Sequence, residues 1–563
     1  MPQSWRLYFA DESSSSPEEE MSFNQPTIVL SSGNLKNQSA SVGAALAPDS
    51  LGVAHLIRAY QVNGHRSANL DPLGMYTNES FPFRPGNVRS KNDVATGVSK
   101  YEDGYADTLT VGFHGFDQAT DMDREMNFKG VHTGGNKGFL EDLTNMPGKV
   151  TLRKVVARLR ETYCQTIGVE YMHIGSVHQC NWIRERVENP NFLKVDKEKK
   201  VHIFERLCFA DTFETFLANK FNTTKRFGLD GGEAIVPALK DAIDRASELG
   251  AHSFIIGMPH RGRLNVLANV MRKPMTTLFS EFQGTHYDVE SHTKRTSEWG
   301  SSGDVKVGNT RRRESPCVPS TTYFLLALIS SRRLISPAVC FPNFQYHLGS
   351  SMDRTYPDGR KIHLSLVANP SHLECVNPVV LGKARAKQFY CGDTDEDRRN
   401  VVPILLHGDA AFAGQGVVYE TMQLAGVDDF NVGGTIHVIV NNQIGFTTNP
   451  INSRSTPYAS DLGKAFNAPI FHCNGDDPVV VSRALETAIE WRHEWGTDVI
   501  IDMICYRRMG HNELDQPMFT QPKLYKAITR HPSTLEIYEK RLIAEGTMTR
   551  EEAKEIRDFT LQS

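Results

Sequence analysis

Long apolar runs are missing from this chain. The most apolar stretch, residues 323–329, is far too short to cross a bilayer, so no membrane span is expected. An excess of charge is missing too. A formal net charge of -4 over 563 residues offers neither a basic stripe for nucleic acid nor a polybasic membrane surface. Nine cysteines are scattered without paired spacing, which excludes a disulfide framework and a cysteine-rich zinc site. All nine read as packing residues in a reducing interior compartment. The start lacks the Arg-rich amphipathic stretch of a mitochondrial presequence, since Met1 is followed by an acidic, serine-rich segment.

What is present divides by texture. Residues 1–49 read as an extended or disordered tail, with Ser, Pro and Glu dominating 12–20. Residues 50–229 form a mainly helical region. Within it Leu152, Val155, Val156, Leu159, Tyr163 and Ile167 recur at helical spacing, while 83–121 is rich in Gly, Asp, Asn and Lys and reads as a surface excursion. From 230 to 535 the pattern changes to short apolar runs that end in Gly, His, Asp or Asn. Runs 253–256, 364–367, 401–406, 435–440 and 499–503 predict buried strands, alternating with helices over 416–425 and 480–495. The fold class is therefore α/β, a parallel helix-covered sheet preceded by a mainly helical region. Residues 536–563 continue as helix.

Chemistry in such sheets collects beyond the carboxyl ends of the strands. Gly408-Asp409-Ala410-Ala411 follows one run, and Asn441-Asn442-Gln443-Ile444-Gly445 follows the next. An acid and an amide at neighbouring strand ends can share one hard cation, and a helix start between them can receive a diphosphate. Asp409 is the expected anionic magnesium ligand, with the Asn442 side chain and the Ile444 carbonyl beside it. The structural alternative is an acid capping a helix and an Asn serving a turn. His260-Arg261 ends another strand, where Arg261 could grip a phosphate and His260 could move a proton. His347, His372, His407 and His511 also fall near strand ends. Singly each is a structural histidine; together with His260 they read as a pocket that binds and protonates anions.

These motifs closely resemble the thiamine diphosphate-dependent first component of 2-oxoglutarate dehydrogenase. The matching runs are 226–231, 256–267, 346–351, 367–374, 405–419, 440–448 and 505–522. The resemblance implies that Asp409, Asn442 and Ile444 bind Mg2+, and that Arg261, Ala410 and His511 contact thiamine diphosphate. It implies that His260, His347, Ser351 and His372 handle the 2-oxo acid. The implied reaction is addition of a thiazolium carbanion to the 2-oxo group, loss of carbon dioxide, and succinyl transfer to a lipoyl group. A homodimer, a lipoyl-bearing succinyltransferase, dihydrolipoyl dehydrogenase and the mitochondrial matrix are implied as well. Tyr346–Gly349, Ala411 and Ala413 resemble the oxoglutarate enzyme more than its oxoadipate-using relative. The family pattern extends past both ends of this chain, so a truncated, diphosphate-binding part that is inactive alone is expected. A 2-oxoadipate dehydrogenase-like enzyme and a non-catalytic docking fragment are the alternatives.

Residues 307–345 have no counterpart in that pattern, where Lys306 runs directly into Tyr346. They read as a retained intron translated in frame, with a lineage-specific insertion as the rival. Transcript reads joining the Lys306 and Tyr346 codons are expected to skip the 39 codons of 307–345. Retention of those codons in the major transcript would establish the insertion instead.

Overall fold

Strands with both faces covered need apolar side chains on both, which is why the runs are continuous rather than alternating. The computed structural model describes residues 48–75, 108–126, 150–282, 285–288, 293–296 and 349–562, apart from 223, 225, 369, 394–397 and 512–514. The segment 307–345, His347 and the tail before residue 48 lie outside the described residues.

Among the described residues, eight strands share one sheet: β1 (Ile167–Glu170), β2 (Ser253–Gly257), β3 (Ser350–Thr355), β4 (Lys361–Leu366), β5 (Val401–Gly408), β6 (Ile436–Asn441), β7 (Ile470–Asn474) and β8 (Val499–Ile504). Their order is β1-β7-β8-β6-β5-β2-β4-β3. The six central strands are parallel, and β1 and β3 close the edges antiparallel. The chain runs outward from β2 to β4, returns to β5, and then builds toward β6, so the direction reverses between β2 and β5. Ligands collect at such a reversal in open parallel sheets.

Alternate residues of each strand enter different cores. Val402, Ile404 and Leu406 join Phe254 and Ile436 in the large core with Leu239, Ile243, Leu485 and Trp491. Val401 and Leu405 face Val376, Val380 and Ala384 on the other side. Helices Ile235–Glu248 and Pro478–Trp495 supply the first cover, and Val376–Cys391 the second. The C-terminal helices Thr534–Ala544 and Arg550–Gln562 pack back through Leu535, Tyr538 and Leu542 of the first and Ala553 of the second onto the cluster of Ile203, Phe204 and Leu207.

Three local readings change. The amphipathic helix stops at Tyr163, and Ile167 begins strand β1 instead of the next helical turn. Within the expected surface excursion, Leu109, Val111 and Phe116 are buried in the main core. Of the seven described cysteines, Cys375 and Cys391 are exposed and so do not serve as packing residues.

The amino ends of the strands are tied by one side chain. Arg492 is buried, and its guanidinium donates to the carbonyls of Arg398 (2.7 Å), Val401 (2.9 Å), Val432 (2.9 Å) and Gly434 (3.1 Å). Burial lowers its pKa to about 10, still far above neutrality. Arg492→Met leaves those carbonyls without their donor and is expected to destabilise the chain by about 3 kcal/mol or more, measured by urea unfolding.

Candidate functional site

The ends of β2, β5 and β6 carry the predicted residues into adjacent loops. Asp409 begins the short helix Asp409–Gly414 directly after β5, and is 2% exposed. Asn442 and Ile444 follow β6 in a turn where Gln443 takes φ 58 and Phe446 φ 54. The two turns meet closely: a Cβ added to Gly445 would lie 2.7 Å from Ala410 Cβ. Only glycine permits that approach.

Asp409 Oδ2 and Asn442 Oδ1 are both buried, and neither has a hydrogen-bond partner among the described residues. Buried polar atoms are ordinarily satisfied, so two orphaned oxygens on touching turns need an account. Arg454 Nη1 stands 3.8 Å from Asp409 Oδ2, beyond hydrogen-bond reach. Burial, opposed by Arg454 and reinforced by Asp502, pushes the Asp409 carboxyl up to about 6. Two unsatisfied oxygens, one of them anionic at neutral pH, fit a hard divalent cation.

Beyond β2, His260 contacts the Phe227 ring edge-on at 4.5 Å and His511 at 5.9 Å. His511 in turn meets Phe446 at 4.9 Å, so the loops at 227, 260, 446 and 511 share one rim. Arg261 donates from Nη1 to the Gly228 carbonyl (3.1 Å) and from Nη2 to the His511 carbonyl (3.0 Å). It also lies 3.5 Å from Asp230 Oδ2. In this arrangement Arg261 braces the rim. Gly262 makes the rim possible, because at φ 78 its Cα passes where a Cβ would be 2.2 Å from Leu229.

The other expected residues are placed differently. Ser351 is exposed on the edge strand β3, with its hydroxyl 3.4 Å from that of Ser365. His372 falls in the 3-10 segment Pro370–Cys375. His407 is not in an anion pocket. It is fully buried between Glu374 (2.6 Å) and His437 (3.0 Å). Burial holds it below the usual imidazole range despite Glu374.

Several residues at the site have no single-residue sequence signal. Arg454, just after the short helix Pro450–Ser453 that follows the second turn, points its guanidinium toward Asp409 from 3.8 Å. Glu214 accepts from the backbone of Leu229 (2.8 Å) and from Asn265 (3.0 Å) beneath the rim, and burial beside Asp230 and Glu233 pushes it up to about 8. His65, Glu170 and His472 bring ligand-type atoms within 4.8 Å, yet Lys464 Nζ, 2.7 Å from Glu170, already supplies a cation there.

Residues 328–561 match the family described as dehydrogenase E1 component. The chain is 41% identical over 564 residues to 2-oxoglutarate dehydrogenase, mitochondrial, of Dictyostelium discoideum, covering 100% of this chain and 48% of that protein. It is 42% identical to 2-oxoglutarate dehydrogenase-like, mitochondrial, of Rattus norvegicus, over 94% of this chain and 45% of the relative. With the Saccharomyces cerevisiae 2-oxoglutarate dehydrogenase, mitochondrial, the identity is 40% over 98% and 48%. The chain thus spans about half the length of these curated relatives.

The acid carries a stability consequence. Its pKa rises from 3.8 unfolded to about 6 folded, so the native state holds the extra proton between those values. Stability therefore falls as pH rises through that window and stays lower above it. Asp409→Asn is expected to stabilise the metal-free chain by about 1–3 kcal/mol at pH 7.5. Urea unfolding in chelator at several pH values should show the gain shrinking toward pH 3.8.

Proposed function

The chain is related to the 2-oxoglutarate dehydrogenases as a dehydrogenase E1 component, and on that premise we propose that its site holds thiamine diphosphate through Mg2+. Its role on this reading is the decarboxylating step of 2-oxoglutarate oxidation, with the succinyl group passed to a lipoyl carrier. The supporting observation is the pair of orphaned buried oxygens, Asp409 Oδ2 and Asn442 Oδ1, at the ends of neighbouring parallel strands. Asp409, Asn442 and the Ile444 carbonyl would hold the ion, because magnesium takes oxygen ligands and shares its shell with phosphate oxygens. When bound, thiamine diphosphate supplies the carbanion and the electron sink for decarboxylation.

The chain's own residues bind and orient. Ala410 and Gly445 press the two turns together, so the ion's protein ligands are held before it arrives. Arg261 and His511 form the rim beside them and take the cofactor-contact role. His260, edge-on to Phe227 at the same rim, is the proton donor to the 2-oxo acid. His347, Ser351 and His372 complete the acid-binding group in the proposal. The assembly is a homodimer in a mitochondrial multienzyme complex with a lipoyl-bearing succinyltransferase and dihydrolipoyl dehydrogenase.

Calorimetric titration of the purified chain with thiamine diphosphate tests this reading. Binding is expected only with Mg2+ present, and Asp409→Ala should abolish it. Magnesium-independent binding, or none by a folded chain, would overturn the assignment of these ligands.

A further inference from the structure

The turn bearing Asn442 and Ile444 is held from outside its own strand. Gln443, between the two proposed ligands, adopts φ 58, a left-handed conformation unfavourable for a residue with a Cβ. Such a conformation persists only where its surroundings over-determine it. Its side-chain amide donates to Asp71 Oδ1 at 2.8 Å and to the Cys505 carbonyl at 3.1 Å. Its backbone N–H donates to Asn441 Oδ1 at 3.2 Å.

Asp71 belongs to a segment 372 positions earlier in the chain. It is itself fixed, with Oδ1 accepting from the Leu73 N–H (3.1 Å) and Oδ2 from the Met75 N–H (2.7 Å). Leu73 and Met75 pack on the cluster that contains Ile444, Tyr506 and Tyr525. One short segment therefore grips the residue between the ligands and also covers one of the ligand-bearing residues. Its neighbour Asn69 is anchored as well, its N–H donating to Gln165 (2.8 Å) and its carbonyl accepting from Asn474 (3.1 Å).

We propose that Asp71 is a positioning residue for the metal-binding turn, acting through Gln443; this rests on the reading of Asp409, Asn442 and Ile444 as magnesium ligands. Asp71 contributes no ligand atom. Its carboxylate holds Gln443 in the left-handed conformation, which keeps the Asn442 oxygen and the Ile444 carbonyl turned toward Asp409 before the ion binds. Without that hold the turn relaxes, and the ion must reorganise it on binding.

The test measures Mg2+ affinity of the full chain by titration at saturating thiamine diphosphate. Asp71→Ala and Gln443→Ala are each expected to weaken Mg2+ binding about tenfold, and the double variant no further, since both remove one interaction. Gln443→Gly loses the amide but reaches φ 58 without strain. It should bind within about threefold of wild type and should make Asp71→Ala nearly silent in its background. A role limited to stability would lower the melting temperature and leave Mg2+ affinity unmoved. Should Asp71→Ala fail to fold, the contrast between Gln443→Gly and Gln443→Ala decides alone, and equal affinities would overturn the proposal. Magnesium-dependent binding by wild type with unchanged affinity in all variants removes this inference only. Absence of such binding in wild type removes the ligand assignment, and this inference with it.

Discussion

A buried carboxylate with one oxygen left without a hydrogen bond among the described residues is the constraint around which the carboxyl end of this sheet is organised. Folding alone gives no reason to place Asp409 there, since burial penalises its charged form and Arg454 stands too far away to satisfy it. The structure tolerates the acid because everything beside it is over-determined. Ala410 is wedged against Gly445, and the second turn is bonded to strands and loops from distant parts of the chain. An unfavourable group kept in place by a rigid surround marks a site shaped for a ligand.

The same division of labour runs across the sheet. At the amino ends, Arg492 satisfies carbonyls and has no reason to interact with anything else. Behind β6, Asn441 donates to Asp502, which also accepts from His472, and His472 meets Glu170 at 2.9 Å. Burial lowers the His472 pKa, but its bonds to the two carboxylates outweigh that and raise it to about 9, so the buried charges are paired. The charged groups behind β6 are thus paired with one another, whereas Asp409 Oδ2 and Asn442 Oδ1 on the turns beyond the strands have no hydrogen-bond partner among the described residues.

The sequence made the central strands legible because apolar runs ending in turn residues have few other uses. It concealed β7, where His472 and Asn474 interrupt the run, since their burial depends on partners as remote as Glu170 and Asn69. It concealed β3 because an edge strand reading Ser-Ser-Met-Asp-Arg-Thr has one face in solvent. Ile167 fitted a helical period by coincidence, and four residues are too few for a strand period to compete. At the site, Asp409 and Asn442 were legible as strand-end residues. His407 also lies near a strand end, but its burial is set by Glu374 and His437, partners 33 and 30 positions away that the sequence does not bring together. Asp71 and Glu214 act through backbone and amide contacts that only the folded chain brings together.

The antiparallel pairing of β1 with β7 bears on how the chain is made. Ile167 pairs with Cys473, so the first strand emerges from the ribosome roughly 300 residues before its partner. At about 5–20 residues per second that is a wait of about 15–60 s. Throughout it Glu170 has neither His472 nor Lys464, and an edge strand of four buried residues has no neighbour. The nascent chain therefore carries β1 without its partner until β7 appears, and slow codons between the two strands would lengthen that wait.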